Sequence, residues 1–205
     1  MKETSDTKSG LYRAAEITSL LGHPLLTFPV FVMLVSFRSF DIQKATLISF
    51  VTVIVVILPV TIRNYRKTRR GEYTNFDVSD QEQRKGFYPL PVMLISVALL
   101  VFYFTDQPKP VITGTFLALL LMITSGLINL RIKCSLHSAA SVFLSFLLVQ
   151  IWFTVGVAMF LFTILICISR FILKRHSVVE IVTGLVVGAV FGLMYALYNQ
   201  QNLQG

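Results

Sequence analysis

Polar and apolar positions in this chain fall into long blocks rather than into alternation. Apolar runs cover 18–37, 43–62, 88–105, 111–130, 138–152, 155–169 and 177–197, with short polar segments between them. Several runs reach the length of about 20 residues that a helix needs to cross hydrocarbon. Continuous runs predict helices, because the strands of a membrane barrel alternate between lipid and lumen. The expected fold is all-α, a polytopic membrane bundle of six or seven transmembrane helices. A polar N-terminal segment at 1–17 precedes one membrane-embedded domain at 18–199, and a polar tail follows at 200–205.

Composition points the same way. Hydrophobic residues make up 55% of the 205 positions and charged residues 14%; the mean hydropathy is +0.73. A soluble domain of this size has too little interior to hide that much apolar surface. The N-terminal residues carry Lys2, Lys8 and Arg13, and the apolar run after them has no small-residue cleavage site, so a removable signal is not expected. Cys134 and Cys167 suit neither a metal site nor a disulfide framework and read as small apolar fillers.

The breaks between runs carry information too. His23-Pro24 interrupts the first run and leaves its start as a helix lying along the interface, with His23 structural. Asp106-Gln107-Pro108-Lys109-Pro110 is a turn. The stretch from His137 to Ser169 has two readings. As one helix it would be about 46 Å long and would part its ends across the membrane. As a hairpin turning at Gln150, Trp152, Thr154 and Gly156, each limb would be about 22 Å, short for a hydrocarbon core of about 30 Å. The hairpin is preferred because it keeps both ends on one side.

Charge then gives an orientation. With the hairpin, the N-terminus and the segments 63–87, 131–137 and 170–176 share one side and hold all but Arg38, Lys44 and Lys109 of the 18 Lys and Arg. The positive-inside rule assigns that side to the cytoplasm. The net charge of +8 therefore sets orientation and meets anionic lipid head groups, and nucleic acid is not expected as a partner.

Ionisable groups at span ends are candidates for function. One cluster is Lys133-Cys134-Ser135-Leu136-His137; the other is Ser169-Arg170, then His176, then Glu180. His176 and Glu180 are four apart on one helical face, so the carboxylate can fix the imidazole tautomer and leave its other nitrogen free to attack. Arg170 suits bidentate capture of phosphate oxygens. His137 can protonate a leaving alkoxide, while Lys133, the Ser135 hydroxyl and Arg84 are suited to hold the developing negative charge.

This pattern resembles the type-2 phosphatidic acid phosphatase superfamily. Ser169-Arg170, five residues, His176, three residues, Glu180 is similar to its third signature, and Cys134-Ser135-Leu136-His137 echoes its second, Pro-Ser-Gly-His. The resemblance implies a phosphorylated nucleophile at His176, an orienting role for Glu180, a general acid at His137, and phosphate contacts at Ser135 and Arg170. Glu180 replaces the usual Asp, and Cys134 and Leu136 replace Pro and Gly. The first signature, Lys, six residues, Arg-Pro, is missing; Lys133 and the segment Asp80-Gln-Glu82-Gln-Arg84 are its nearest stand-ins, the latter similar to a loop of small bacterial members. Asp77 stands where that signature would place its Lys.

The expected activity is hydrolysis of a lipid phosphate monoester or diphosphate in a cell membrane, with the resemblance implying a bacterial inner membrane. Neither cofactor nor metal is expected. Two alternatives remain: a degenerate member that binds lipid or a partner without catalysis, and a magnesium-dependent prenyltransferase. Asn75-Phe76-Asp77-Val78-Ser79-Asp80 vaguely resembles the diphosphate motif of the latter, but the second acidic cluster that it needs is absent.

Overall fold

The computed structural model describes residues 3–203, with side chains described over 10–199. Eight helices follow one another among these residues: α1 (Glu3–Leu21), α2 (Pro24–Ser39), α3 (Ile42–Arg69), α4 (Gln81–Phe104), α5 (Lys109–Asn129), α6 (Leu136–Ile151), α7 (Phe153–Ile172) and α8 (Val178–Leu203). No strand occurs among the described residues. Five of the helices, α3, α4, α5, α7 and α8, are long and apolar enough to cross a membrane. The pair α1–α2, bent by 48°, makes a sixth if it is counted as one broken span. The chain is an all-α, multi-pass membrane protein.

The bend falls at the expected place, because His23 accepts the Leu25 amide proton on Nδ1 and caps α2, with Pro24 at its first position. Position 17, where composition changes from polar to apolar, lies inside α1. The hairpin reading of 137–169 is also the observed one. The chain breaks at Trp152, whose φ of −141° and ψ of 94° separate α6 from α7.

α6 has only 16 residues, and this has a physical reason. It faces protein rather than lipid. Residues 137–145 are buried without exception, and α6 packs on α7 and α8 along its length. A helix with that position need not match the hydrocarbon thickness. Its residues are accordingly small: Ser138, Ala139, Ala140, Ser141 and Ser145 let neighbouring backbones approach closely. The Ser145 hydroxyl donates to the Ser141 carbonyl at 2.8 Å, which satisfies it inside its own helix.

The outer surface is the reverse, with exposed Leu127, Leu161, Val182 and Leu197 where lipid would lie. The phenylalanines divide between the two settings: Phe104, Phe153 and Phe171 face outward, whereas Phe28, Phe31 and Phe143 pack in the central core. Within α3, residues Val51–Ile57 form a π-helical segment, the one such segment among the described residues. α3 has 28 residues, about 42 Å, so its basic end carrying Arg66 and Arg69 extends past a core of about 30 Å.

The closest approach in the bundle is between α6 and α8. A Cβ on Gly184 would strike the Ser135 carbonyl oxygen, and one on Gly188 would strike the Ala139 carbonyl oxygen and lie 3.0 Å from its Cα. Gly188→Ala should therefore force α8 away from α6 and destabilise the protein by about 1–3 kcal/mol. Gly10→Ala, at a position with open space around it, should leave stability unchanged or slightly raised. Thermal unfolding of the purified variants in detergent checks both; equal midpoints for the two would mean that the α6–α8 contact is not tight.

Candidate functional site

Four segments meet at one end of the bundle: the α1–α2 corner, the α3–α4 connection, the α5–α6 loop and the α7–α8 loop. The α3–α4 connection is held by its own polar side chains. Asp80 accepts the Gln83 amide proton at 3.0 Å and starts α4. Arg63 donates to the Phe87 carbonyl at 3.1 Å, to the Tyr73 hydroxyl at 3.0 Å and to the Gly86 carbonyl. A reciprocal pair ties the connection to the end of α5, Gln81 donating to the Asn129 carbonyl at 2.9 Å and Asn129 to the Gln81 carbonyl at 3.3 Å. Arg63 belongs to the basic run read as an orientation signal, and the structure gives it this additional latching role.

These ties place Arg84 in the interior, 1% exposed. Its guanidinium donates to the Val78 carbonyl at 2.6 Å and to the Cys134 carbonyl at 2.5 Å, and its third nitrogen lies 3.3 Å from His176 Nε2. Guanidinium nitrogens have no lone pair to offer, so His176 Nε2 is the acceptor. The proton of His176 is therefore on Nδ1, 2.8 Å from Glu180 Oε2, where it donates to the carboxylate. The ring thus stands in one tautomer with Nε2 free of its proton. Burial, then the positive charges of Arg84, Arg170 and Lys133, push the His176 pKa down to about 2. It stays neutral throughout the physiological range.

Arg170 is fully buried. One of its terminal nitrogens donates to the Ser19 hydroxyl at 2.7 Å and to Asp77 Oδ2 at 2.5 Å. Its Nε and the other terminal nitrogen have no partner, and neither does Nε2 of the buried His137. Buried donors without acceptors are costly, and here they share one edge of the guanidinium. That edge has the two-pronged geometry that fits two oxygens of a phosphate. Lys133 Nζ lies 3.2 Å from the Glu180 carboxylate. The Ser135 hydroxyl accepts from the Ser138 amide at 3.4 Å and from the Ser138 hydroxyl at 3.0 Å, which caps α6. All seven residues singled out from sequence thus lie in this corner, with Lys133 and Ser135 held by protein partners.

Ser19 was not anticipated, and Asp77 was read only as standing in place of the signature Lys and as part of a diphosphate-like motif. His23, read as structural, is that and more: its Nε2 lies 3.3 Å from Asp77 Oδ1, and its ring packs edge-on against His137 at 4.8 Å. Burial opposes ionisation of Asp77, but the hydrogen bond from His23 and the charge of Arg170 hold its carboxyl far below the usual range. The Asp where the resembled signature would carry Lys therefore has a definite place, orienting Arg170 from behind. Nothing in linear spacing connects position 23 with 77 or 170; only the loops' convergence does.

His23, Asp77 and His137 also bring potential metal-ligand atoms within 4.8 Å of one another. The tautomer opposes metal binding. His23 Nδ1 accepts the Leu25 amide proton at 3.1 Å, so Nε2 carries the proton and donates it to Asp77. A metal-bound imidazole has the opposite arrangement, its second nitrogen donating outward. Asp77 and Asp80 are likewise engaged, with Arg170 and with the start of α4, rather than paired for magnesium.

Compared with protein-family models, with curated proteins and with solved structures, the chain matches none.

The buried neutral His176 makes stability depend on pH. An unfolded His176 takes up a proton below about 6.5 and the folded one only near 2, so the unfolded state binds more protons between those values. Stability contributed by this group falls as pH drops through 6.5. The thermal midpoint of the wild type should decline by more between pH 7 and pH 5 than that of His176→Gln. Parallel declines would show that His176 is not a buried neutral group.

Proposed function

We propose that this protein is a membrane lipid phosphatase that works through a phosphohistidine. The observation that carries this reading is the His176 ring held between Glu180 on Nδ1 and Arg84 at Nε2, beside the unpartnered edge of Arg170. In this reading Arg170 and Arg84 clamp the phosphoryl oxygens. Nε2 of His176 attacks phosphorus, a P–N bond forms, and the P–O bond to the lipid breaks with its electron pair on oxygen. Glu180 stabilises the positive imidazolium that results. His137 gives a proton to the departing oxygen and then takes one from water, whose oxygen attacks phosphorus and releases inorganic phosphate as the P–N bond breaks. Positive charge comes from Arg84, Lys133 and Arg170, and no metal takes part. The buried orphan Nε2 of His137 supports its role as the proton carrier.

The test is phosphate release by the purified protein from a panel of phosphatidic acid, phosphatidylglycerol phosphate and a polyprenyl diphosphate, with a chelator present. His176→Ala should abolish turnover and phosphoenzyme while still folding, at a thermal midpoint lowered by the loss of a buried partner of Arg84. Glu180→Gln should lose about a hundredfold or more in kcat, and Glu180→Asp should keep a substantial fraction. Wild-type rates in His176→Ala would sink the mechanism. Binding of lipid phosphate with no release by the wild type would favour the non-catalytic alternative.

We assign the site side of the membrane to the cytoplasm on the strength of the Lys and Arg excess, and the bacterial inner membrane is what the resemblance implies. The segments 63–87, 131–137 and 170–176 meet at one end of the bundle, while Arg38 stacks over Trp152 at the other, 5.8 Å from its ring. This supports the count on which the assignment rests. Glu82, exposed in the first turn of α4, provides the check. In Glu82→Cys lacking Cys134 and Cys167, a membrane-impermeant thiol reagent should label only broken cells. Labelling of intact cells would put the site outside.

A further inference from the structure

A cavity of about 640 Å³ runs through the bundle, beginning at His23, Asp77, Arg84 and His137 and continuing between walls that are mostly apolar. α6 contributes His137, Ala140, Phe143, Leu147 and Gln150 to its wall, a stripe at helical spacing that follows the whole helix. From His137 to Gln150 that stripe is about 20 Å long. Gly114 and Ala118 of α5 line the same space opposite, and Lys109 and Asn199 lie at its far end. The cavity is therefore continuous from the phosphate corner to the polar residues near the other face.

Its length restricts what fills it: about 20 Å exceeds half of a hydrocarbon core of about 30 Å, so the cavity is deeper than one leaflet. The π-helical segment of α3 supplies Thr52, Val56 and Ile57 to the wall. Such a segment is unfavourable on its own and marks functional places in helices.

We infer that this cavity holds the hydrocarbon of the substrate, a chain longer than a leaflet, and that its far end sets the greatest chain length accepted. The inference rests on the lipid phosphatase reading for the identity of the head group.

Butyl, octyl and hexadecyl phosphate test it in mixed micelles. The wild type should favour hexadecyl phosphate over butyl phosphate by at least about tenfold in kcat/KM. Ala118→Phe should reduce the hexadecyl-to-butyl preference about tenfold. Ala118→Leu, a smaller intrusion, should reduce it less and secures the result if the Phe variant does not fold. Gly114→Leu, about 6 Å farther from His137 than Ala118, should penalise hexadecyl but not octyl phosphate. There is room for its first side-chain carbon, 3.6 Å from Tyr195. Leu161→Ala on the lipid face should keep the wild-type preference. Unchanged preference in all three cavity variants overturns the inference. If the wild type releases no phosphate from any substrate, the phosphatase reading fails instead. The cavity is then decided by thermal stabilisation: hexadecyl phosphate should raise the midpoint of the wild type more than inorganic phosphate does, and Ala118→Leu should remove that difference.

Discussion

The guanidinium of Arg84 is the interaction on which the arrangement of the site depends. It is a cation buried in the interior, and a buried charge is tolerated only when its donors are matched. Its partners come from three separate stretches of chain: the Val78 carbonyl in the α3–α4 connection, the Cys134 carbonyl before α6, and the His176 ring before α8. Satisfying one side chain therefore fixes three loops relative to one another. It also decides the chemistry, because a group that can only donate forces His176 to present a lone pair at Nε2.

What makes that convergence possible is the central helix. α6 is short, small-residued and enclosed, so that α7 and α8 reach it closely enough for the Ser135 amide to donate to the Glu180 carbonyl at 3.1 Å. The same closeness brings Lys133 to Glu180. Polar groups on the inside and apolar ones on the outside are the reverse of a soluble protein, and they leave the bundle interior as the place where charge can be held.

Much of this was legible from the chain alone, for reasons that can be named. Apolar blocks and the basic segments beside them determine which stretches are helical and which ends lie together. The four-residue step from His176 to Glu180 is local geometry on one helix, so that contact needed no tertiary knowledge. The hairpin at Trp152 was legible because charge and chemistry agreed on it. What escaped was non-local. His23 looked sufficient as the cap before Pro24, and its second partnership with Asp77 crosses from one loop to another. Asp77 looked like a defect in a phosphate-binding signature, since its counter-charge, Arg170, lies 93 positions away. The inward Phe28, Phe31 and Phe143 escaped as well, because composition gives no helical phase when both faces of a helix are apolar.

The hydrogen bond between Ser19 and Arg170 spans 151 positions of a 205-residue chain, and this bears on how the protein is assembled. Helices α1 and α2 leave the ribosome first, yet the partners of Ser19 and His23 arrive with the α3–α4 connection and with α7. Until α7 has been inserted, the corner at His23 has no guanidinium to close upon. Once α7 has been inserted, Arg170 depends on α1 and on Asp77 to be satisfied. The site is thus a late product of biogenesis. A chain arrested before α7, or one whose first helix is displaced by a fusion, would hold the other helices in the membrane with the corner open and its charges mismatched. Such a form is what a membrane protease or chaperone recognises through exposed polar groups in the bilayer.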